Sequence, residues 1–167
     1  MAPRVSDWKP PAQTMELAQI GDRIEFNGGV GRHFAIYIGN GEVVHGIPGS
    51  DASLLVLRVS FFEAADGRDC RVNNSFDAQA PPFHAQQIHQ RALKFVGRDA
   101  GRSFHNCETL VNDIRCGVRR SQQTERAALL GAGALGAAVV GGPVFAVGTA
   151  VGLVWGAATG ALSAERL

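Results

Sequence analysis

Alternation of apolar and polar positions dominates the first half of the chain. His33–Phe34–Ala35–Ile36–Tyr37–Ile38 is the strongest strand signal, rich in β-branched and aromatic residues. Gly39–Asn40–Gly41 reads as a tight turn, and Glu42–Val43–Val44–His45 as the returning strand. Upstream, Gly21–Asp22 is a turn and Arg23–Ile24–Glu25–Phe26 alternates as a strand does. Leu54 to Ser60 predicts a further strand, and Cys70 to Asn73 a short one. Met1 to Ile20, with Pro3, Pro10 and Pro11, reads as an irregular lead-in, and Ala64 to Arg68 as a polar loop. Asn27 to Gly31 is glycine-rich, but no helical pattern follows it, which argues against a phosphate-binding loop.

The period then becomes helical. Pro81–Pro82 opens a helix from about Phe83 to Val96, with Ile88, Ala92 and Phe95 on one face and Gly97 as its C-cap. A second helix starts at Cys107 and ends near Cys116–Gly117. Cys107, Leu110, Val111 and Ile114 keep the i, i+3, i+4, i+7 spacing of one buried face. Strands first and helices afterwards predict an α+β fold, one antiparallel sheet with packed helices. By period two His33, Ala35 and Tyr37 share one face, as do Val43 and His45 on the next strand. A hairpin there brings both histidines to one side, with the cysteine helix expected across them.

Composition separates two unlike parts. Hydrophobic residues make up 46% of the 167 and the mean hydropathy is +0.02, yet residues 127–164 carry no charge at all. The organisation expected is a lead-in at 1–19, a catalytic domain at 20–126, a hydrophobic membrane segment at 127–164 and a short polar tail at 165–167. A helix over those about 38 uncharged residues would run ~57 Å against a ~30 Å hydrocarbon core. Gly141–Gly142–Pro143 is a natural break, and Val144 to Leu162 is long enough to span. Gly148, Gly152, Gly156 and Gly160 form a small-residue ridge suited to self-association in the membrane. The net charge of +1 gives no case for nucleic-acid binding. Three cysteines without a CxxC predict a reducing compartment without disulfides, and the N-terminus lacks the apolar run of a secretory signal.

The candidate chemistry is a thiol with two imidazoles. At a helix N-terminus Cys107 faces the positive end of the dipole, which favours thiolate. Imidazole titrates near neutral pH and suits the base. The hypothesis is Cys107 as nucleophile, His33 as general base and then acid, and His45 as the orienting third member. N–H groups at the start of the cysteine helix are the candidate oxyanion donors. Each residue also has an ordinary reading, a packed thiol or a hydrogen-bonded core histidine. The spacings of His84, His89 and His105 fit no common zinc pattern. Cys70 and Cys116 read as inert, and Tyr37 as core.

Three blocks carry a resemblance. Gly21–Asp22–Arg23–Ile24–Glu25 with His33–Phe34–Ala35–Ile36–Tyr37–Ile38–Gly39–Asn40–Gly41 and Val43–Val44–His45 is the first; Arg71–Val72–Asn73–Asn74 with Pro81–Pro82 is the second; Asn106–Cys107–Glu108 with Leu110–Val111 is the third. Together they resemble the phospholipase A and acyltransferase branch of the lecithin:retinol acyltransferase-like proteins, permuted relatives of NlpC/P60 and papain-like thiol hydrolases. The resemblance covers about residues 20–126, with the apolar tail where family members carry an anchor. It implies attack by Cys107 on a glycerophospholipid ester, with the acyl group passing as a thioester to water, an amine or a lysolipid. It implies no metal or other cofactor. The sequence departs from the family pattern at Phe34, at Thr109–Leu110 and at Gly31, which stands where a tyrosine is usual.

Arg115, Arg119, Arg120 and Arg126 precede the tail, while only Arg166 follows it, beside Glu165. By the positive-inside rule the catalytic domain stays on the cytosolic face of an intracellular membrane. The same arginines are expected against anionic head groups. Two rival readings remain: a retinol-type acyltransferase or amidase on the same scaffold, and a catalytically weak membrane-permeabilising protein.

Overall fold

A computed structural model describes residues 3–28, 32–49, 53–98, 100 and 106–121, all within one compact unit spanning Met1–Gly131. Five strands form one antiparallel sheet in the order β4-β3-β2-β1-β5. They are β1 (Arg23–Phe26), β2 (His33–Gly39), β3 (Glu42–Pro48), β4 (Leu54–Ser60) and β5 (Cys70–Val72). Four helices accompany them: α1 (Pro11–Leu17), α2 (Phe61–Ala65), α3 (Ala85–Phe95) and α4 (Cys107–Cys116). The α+β expectation and the hairpin at Gly39–Gly41 hold. All three turn residues take positive φ, which asparagine and glycine tolerate best.

Two expectations change. The lead-in contains α1, whose first residue is a proline and whose Thr14 hydroxyl donates to the Cys70 carbonyl at 3.0 Å. The polar loop expected at Ala64–Arg68 starts two residues later: Ala64 and Ala65 end α2, and Asp66–Arg68 follow as the turn. Ser60 caps that helix by accepting from the Glu63 N–H at 3.1 Å, and Asp66 closes it in the left-handed region.

The sheet buries both faces, so its central strands are apolar almost throughout. On one face Phe34, Ile36, Ile38 and Val44 pack beneath α3 and α4 through Ile88, Ala92, Leu110, Val111 and Ile114. On the other, Ile24, Phe26, Ala35, Tyr37 and Val43 pack with Phe61, Ala64 and Ala65 of α2. The period-two assignment of His33, Ala35, Tyr37, Val43 and His45 therefore holds. The cysteine helix, however, lies on the opposite face from the histidines. Its apolar stripe matches the even-numbered side chains of β2, so hydrophobic burial fixes that choice.

The uncharged segment 127–164, its glycine ridge and the loop position Gly31 lie outside the described residues. Among the described residues no helix is long and apolar enough to cross a membrane.

Candidate active site

The cysteine reaches the β2 backbone on either side of His33 through a split in the sheet. β2 and β3 pair from Gly39↔Glu42 only as far as Ala35↔His45, whereas β3 continues with β4 to Pro48↔Leu54. Beyond Ala35 the β3-facing edge of β2 is open. Tyr37 exchanges its backbone bonds on the β1 side, with Asp22 and Gly21 at 2.9 and 2.8 Å. Alternation then turns Phe34 N–H and Arg32 C=O towards the gap. Cys107 occupies it. Its Sγ–H donates to the Arg32 carbonyl at 3.8 Å, and Phe34 N–H donates to the sulfur. The two contacts bracket His33. Gly46, directly after His45, permits the close approach of α4, since a Cβ there would stand 3.1 Å from Leu110 and closer still to Leu54.

His33 Nε2 and His45 Nδ1 lie 2.8 Å apart, with ring centroids at 5.0 Å and planes at 71°. Phe26 stacks on the far side of His33 at 5.7 Å. With Nε2 engaged, Nδ1 is the ring nitrogen left to His33 for accepting a thiol proton. That role needs His33 as the Nε2–H tautomer donating to His45, and hydrogen-bond logic then puts the His45 proton on Nε2. The His45 Nε2 is buried and has no hydrogen-bond partner among the described residues.

Electrostatics place the resting site in its neutral form. Burial, then His45 and Arg68, lower the His33 pKa to about 4. Burial also lowers that of His45, aided by Arg68 and opposed by Glu63. Cys107 is pushed up to about 11 by burial, with Glu108 adding to the rise, although the N–H groups of Phe34, Glu108 and Cys107 itself pull the other way. Burial therefore opposes the thiolate that the helix dipole favours, and it is the largest influence on the sulfur. What the geometry can do is transfer the thiol proton as the sulfur attacks. The same N–H groups are placed to receive negative charge.

The turn that carries Cys107 is locked from both sides. Asn106 Oδ1 accepts from Thr109 N–H at 2.8 Å and from the Thr109 hydroxyl at 3.0 Å, an N-cap with a second tie. Asn106 Nδ2 donates to Ser121 Oγ at 3.1 Å, and Ser121 donates to Glu108 at 2.5 Å. Glu108, 2% exposed, faces Nη2 of the equally buried Arg23 at 3.5 Å. Arg23 lies over the Phe34 ring at 4.7 Å. Buried Glu25 holds Arg71 at 2.8 Å, Asn73 at 2.6 Å and Arg32 at 3.2 Å, so it anchors the residue whose carbonyl meets the thiol. Sequence reasoning missed Arg23, Glu25 and Arg32 in this setting, because buried ion pairs leave no periodic trace. The Asn106 cap had a signal, an asparagine three residues before Thr109.

The remaining sequence candidates fall elsewhere. Cys70 and Cys116 are buried free thiols, both shifted upward by burial. The Tyr37 hydroxyl accepts from Gly41 N–H at 3.3 Å within the core. Arg115 does not face head groups: it is 7% exposed and grips Asp77 with two bonds of 2.8 and 2.7 Å.

Comparison with known proteins places the chain beside a described family. A family model described as lecithin retinol acyltransferase matches residues 16–120. Phospholipase A and acyltransferase 2 of Homo sapiens is 35% identical over 152 residues, covering 81% of this chain and 84% of that protein. Phospholipase A and acyltransferase 3 of Pongo abelii is 33% identical over 132 residues, 70% of this chain and 81% of the relative. Phospholipase A and acyltransferase 4 of Homo sapiens is 35% identical over 133 residues, 69% and 81%.

Proposed function

The chain belongs to the lecithin retinol acyltransferase family, and on that premise we propose that it is a thiol acyl-hydrolase and acyltransferase acting on glycerophospholipids. The observation that carries the reading is the 2.8 Å His33–His45 bond beside a thiol bracketed by Arg32 and Phe34. In the proposed reaction Cys107 Sγ attacks the ester carbonyl while His33 Nδ1 takes its proton. The tetrahedral oxyanion collapses, the C–O bond breaks, and His33 returns the proton to the leaving glyceryl oxygen. The acyl group is then a thioester on Cys107. Water, an amine or a lysolipid hydroxyl attacks it next, giving up its proton to His33, and the thiol reforms. His45 holds the ring that shuttles the proton.

Segment 127–164 would anchor this domain to the cytosolic face of an intracellular membrane, keeping the thiol close to lipid esters at high local concentration. Gly148, Gly152, Gly156 and Gly160 would let two anchors associate. Of the arginines before the tail, Arg119 and Arg120 are the exposed ones described and would meet anionic head groups.

The test is intact-protein mass spectrometry of the full chain in mixed micelles with a diacyl phosphatidylcholine. A fatty-acyl adduct in wild type and none in Cys107→Ala is the expected result. No adduct and no released fatty acid would overturn the enzyme reading and leave a membrane-permeabilising role that depends on 127–164.

A further inference from the structure

Arg68 differs from most of the described arginines. Eight of them face a carboxylate within 4.0 Å, from Arg4–Asp22 to Arg119–Asp113. Among the described residues Arg68 makes no ion pair. Its guanidinium is nonetheless fixed. Nε donates to the Ala65 carbonyl at 2.9 Å and Nη2 to the Ala64 carbonyl at 3.1 Å, both at the C-terminal end of α2. Helix C-terminal carbonyls are natural partners for a cation. Nη1 has no partner among the described residues, and the side chain is only partly buried.

The fold brings this group to the histidine end of the sheet. Phe26 is the Cα partner of both His33 on β2 and Cys70 on β5, and Arg68 lies two residues before Cys70. Asn27 N–H, just past β1, donates to the carbonyl of Asp69 at 2.9 Å, which pins the Arg68–Asp69 segment beside that strand end. α2 itself packs on the histidine face of the sheet. Two strand spacings of ~5 Å separate β5 from β2. The Arg68 charge acts on both imidazoles. Among the described residues no carboxylate pairs with this fixed cation, which disfavours protonation of His33, while Glu63 opposes it at His45. That cost is offset when substrate brings an anion to the same place.

We propose that Arg68 is a specificity residue that receives the phosphodiester of the glycerophospholipid through Nη1, holding the head group on the side of the histidine pair away from Cys107. In a diacyl glycerophospholipid the phosphate and the two esters branch from one three-carbon backbone. A cation flanking the base therefore engages the phosphate while an ester carbonyl sits at the thiol. A planar guanidinium suits the phosphate oxygens, and its fixed stem reduces the entropy lost on binding. This inference rests on the phospholipid reading above and adds the residue that recognises the lipid.

The experiment compares phosphatidylcholine in mixed micelles with 4-nitrophenyl butyrate, an ester without phosphate, for full-length wild type, Arg68→Gln and Arg68→Lys. Arg68→Gln is expected to lower kcat/KM for the phospholipid about 10- to 100-fold, mainly through KM, and to leave the neutral ester within about twofold. Arg68→Lys is expected to recover part of the loss. Equal losses on both substrates would show that Arg68 only secures α2 or tunes His33, and would overturn the proposal. No loss on either would overturn it too. If wild type cleaves the neutral ester but no phospholipid, the substrate reading fails instead, independently of Arg68.

Discussion

His33 gives its Nε2 to His45 Nδ1 at 2.8 Å, which leaves Nδ1 as the ring nitrogen of His33 that can serve Cys107. The imidazole is thus held by one nitrogen and reactive at the other. Phe26 on its open face blocks rotation. His45 acts by orientation, so its loss releases the ring without removing the base. Replacement of His45 by alanine is expected to reduce kcat about 10- to 100-fold with little change in KM. His45→Asn, which offers an amide oxygen to His33 Nε2–H, recovers part of that loss. Steady-state kinetics on phosphatidylcholine for the three proteins decides this. Unchanged kcat in His45→Ala would remove His45 from the site.

Burial pushes the thiol towards its neutral form. With Cys107 pushed up to about 11 and His33 down to about 4, proton transfer accompanies attack and does not precede it. The rate of alkylation of Cys107 by iodoacetamide is therefore expected to rise about tenfold per pH unit between pH 6 and 9. Mass spectrometry at the Cys107 peptide measures it. A plateau below pH 7 would reveal a preformed thiolate–imidazolium pair.

The same depression of His33 moves the acid limb of activity. An ordinary imidazole would halve the rate near pH 6.5, the behaviour the sequence predicts. Burial keeps His33 neutral to about pH 4, so kcat/KM is expected to stay level from about pH 8 down to about pH 5 and to fall below that. A pH–rate profile on a soluble ester with an apparent pKa near 6.5 would contradict it.

Stability carries the linked signature. Above pH 6.5 the folded and unfolded chains both hold His33 neutral. Between pH 6.5 and about 4 the unfolded chain binds a proton that the native site refuses, so stability falls as acid is added. At pH 5 the loss from His33 is about 2 kcal/mol relative to pH 8, and His45 adds in the same direction. Urea midpoints at the two pH values, for wild type and His33→Asn, measure the His33 share as the part missing from the variant.

Much of this architecture was legible before any coordinates. The hairpin around Gly39–Gly41 declared itself through alternation on both sides of a glycine turn, and the i, i+3, i+4, i+7 stripe from Cys107 to Ile114 declared α4. Both patterns are local, and local patterns survive into the fold. The side of the sheet that α4 covers was not legible. Period two groups Phe34 with Ile36 and His33 with Ala35, but both groups are apolar enough to be buried. The opening of β2 from β3 beyond Ala35 was hidden for the same reason, because strand pairing is a long-range property. The effect of burial on the thiol was hidden as well, since it depends on how the chain packs around the sulfur and not only on where it sits along a helix.

Glu108 and Arg23 make the last prediction, because their burial sets two costs against one contact. Arg23 is 1% exposed and lies over the Phe34 and Phe76 rings at 4.7 and 5.7 Å, and its Nε and Nη1 find no hydrogen-bond partner among the described residues. Glu108 meets it at 3.5 Å and is also held by Ser121 at 2.5 Å. Removing the carboxylate strands a guanidinium in apolar surroundings, so Glu108→Gln is expected to destabilise the fold by about 3 kcal/mol. Arg23→Leu removes the less satisfied partner and places an aliphatic side chain over the two rings. Its loss is expected to be smaller, about 1 kcal/mol or less, since Ser121 still serves Glu108. Urea unfolding of both variants and of the double mutant tests the asymmetry. Equal losses in the two single variants would mean that the ion pair, and not burial of the cation, dominates at this turn. Because Glu108 follows Cys107 directly, the same proteins also report whether this pair sets the position of the thiol: Glu108→Gln is expected to lower kcat more than Arg23→Leu does.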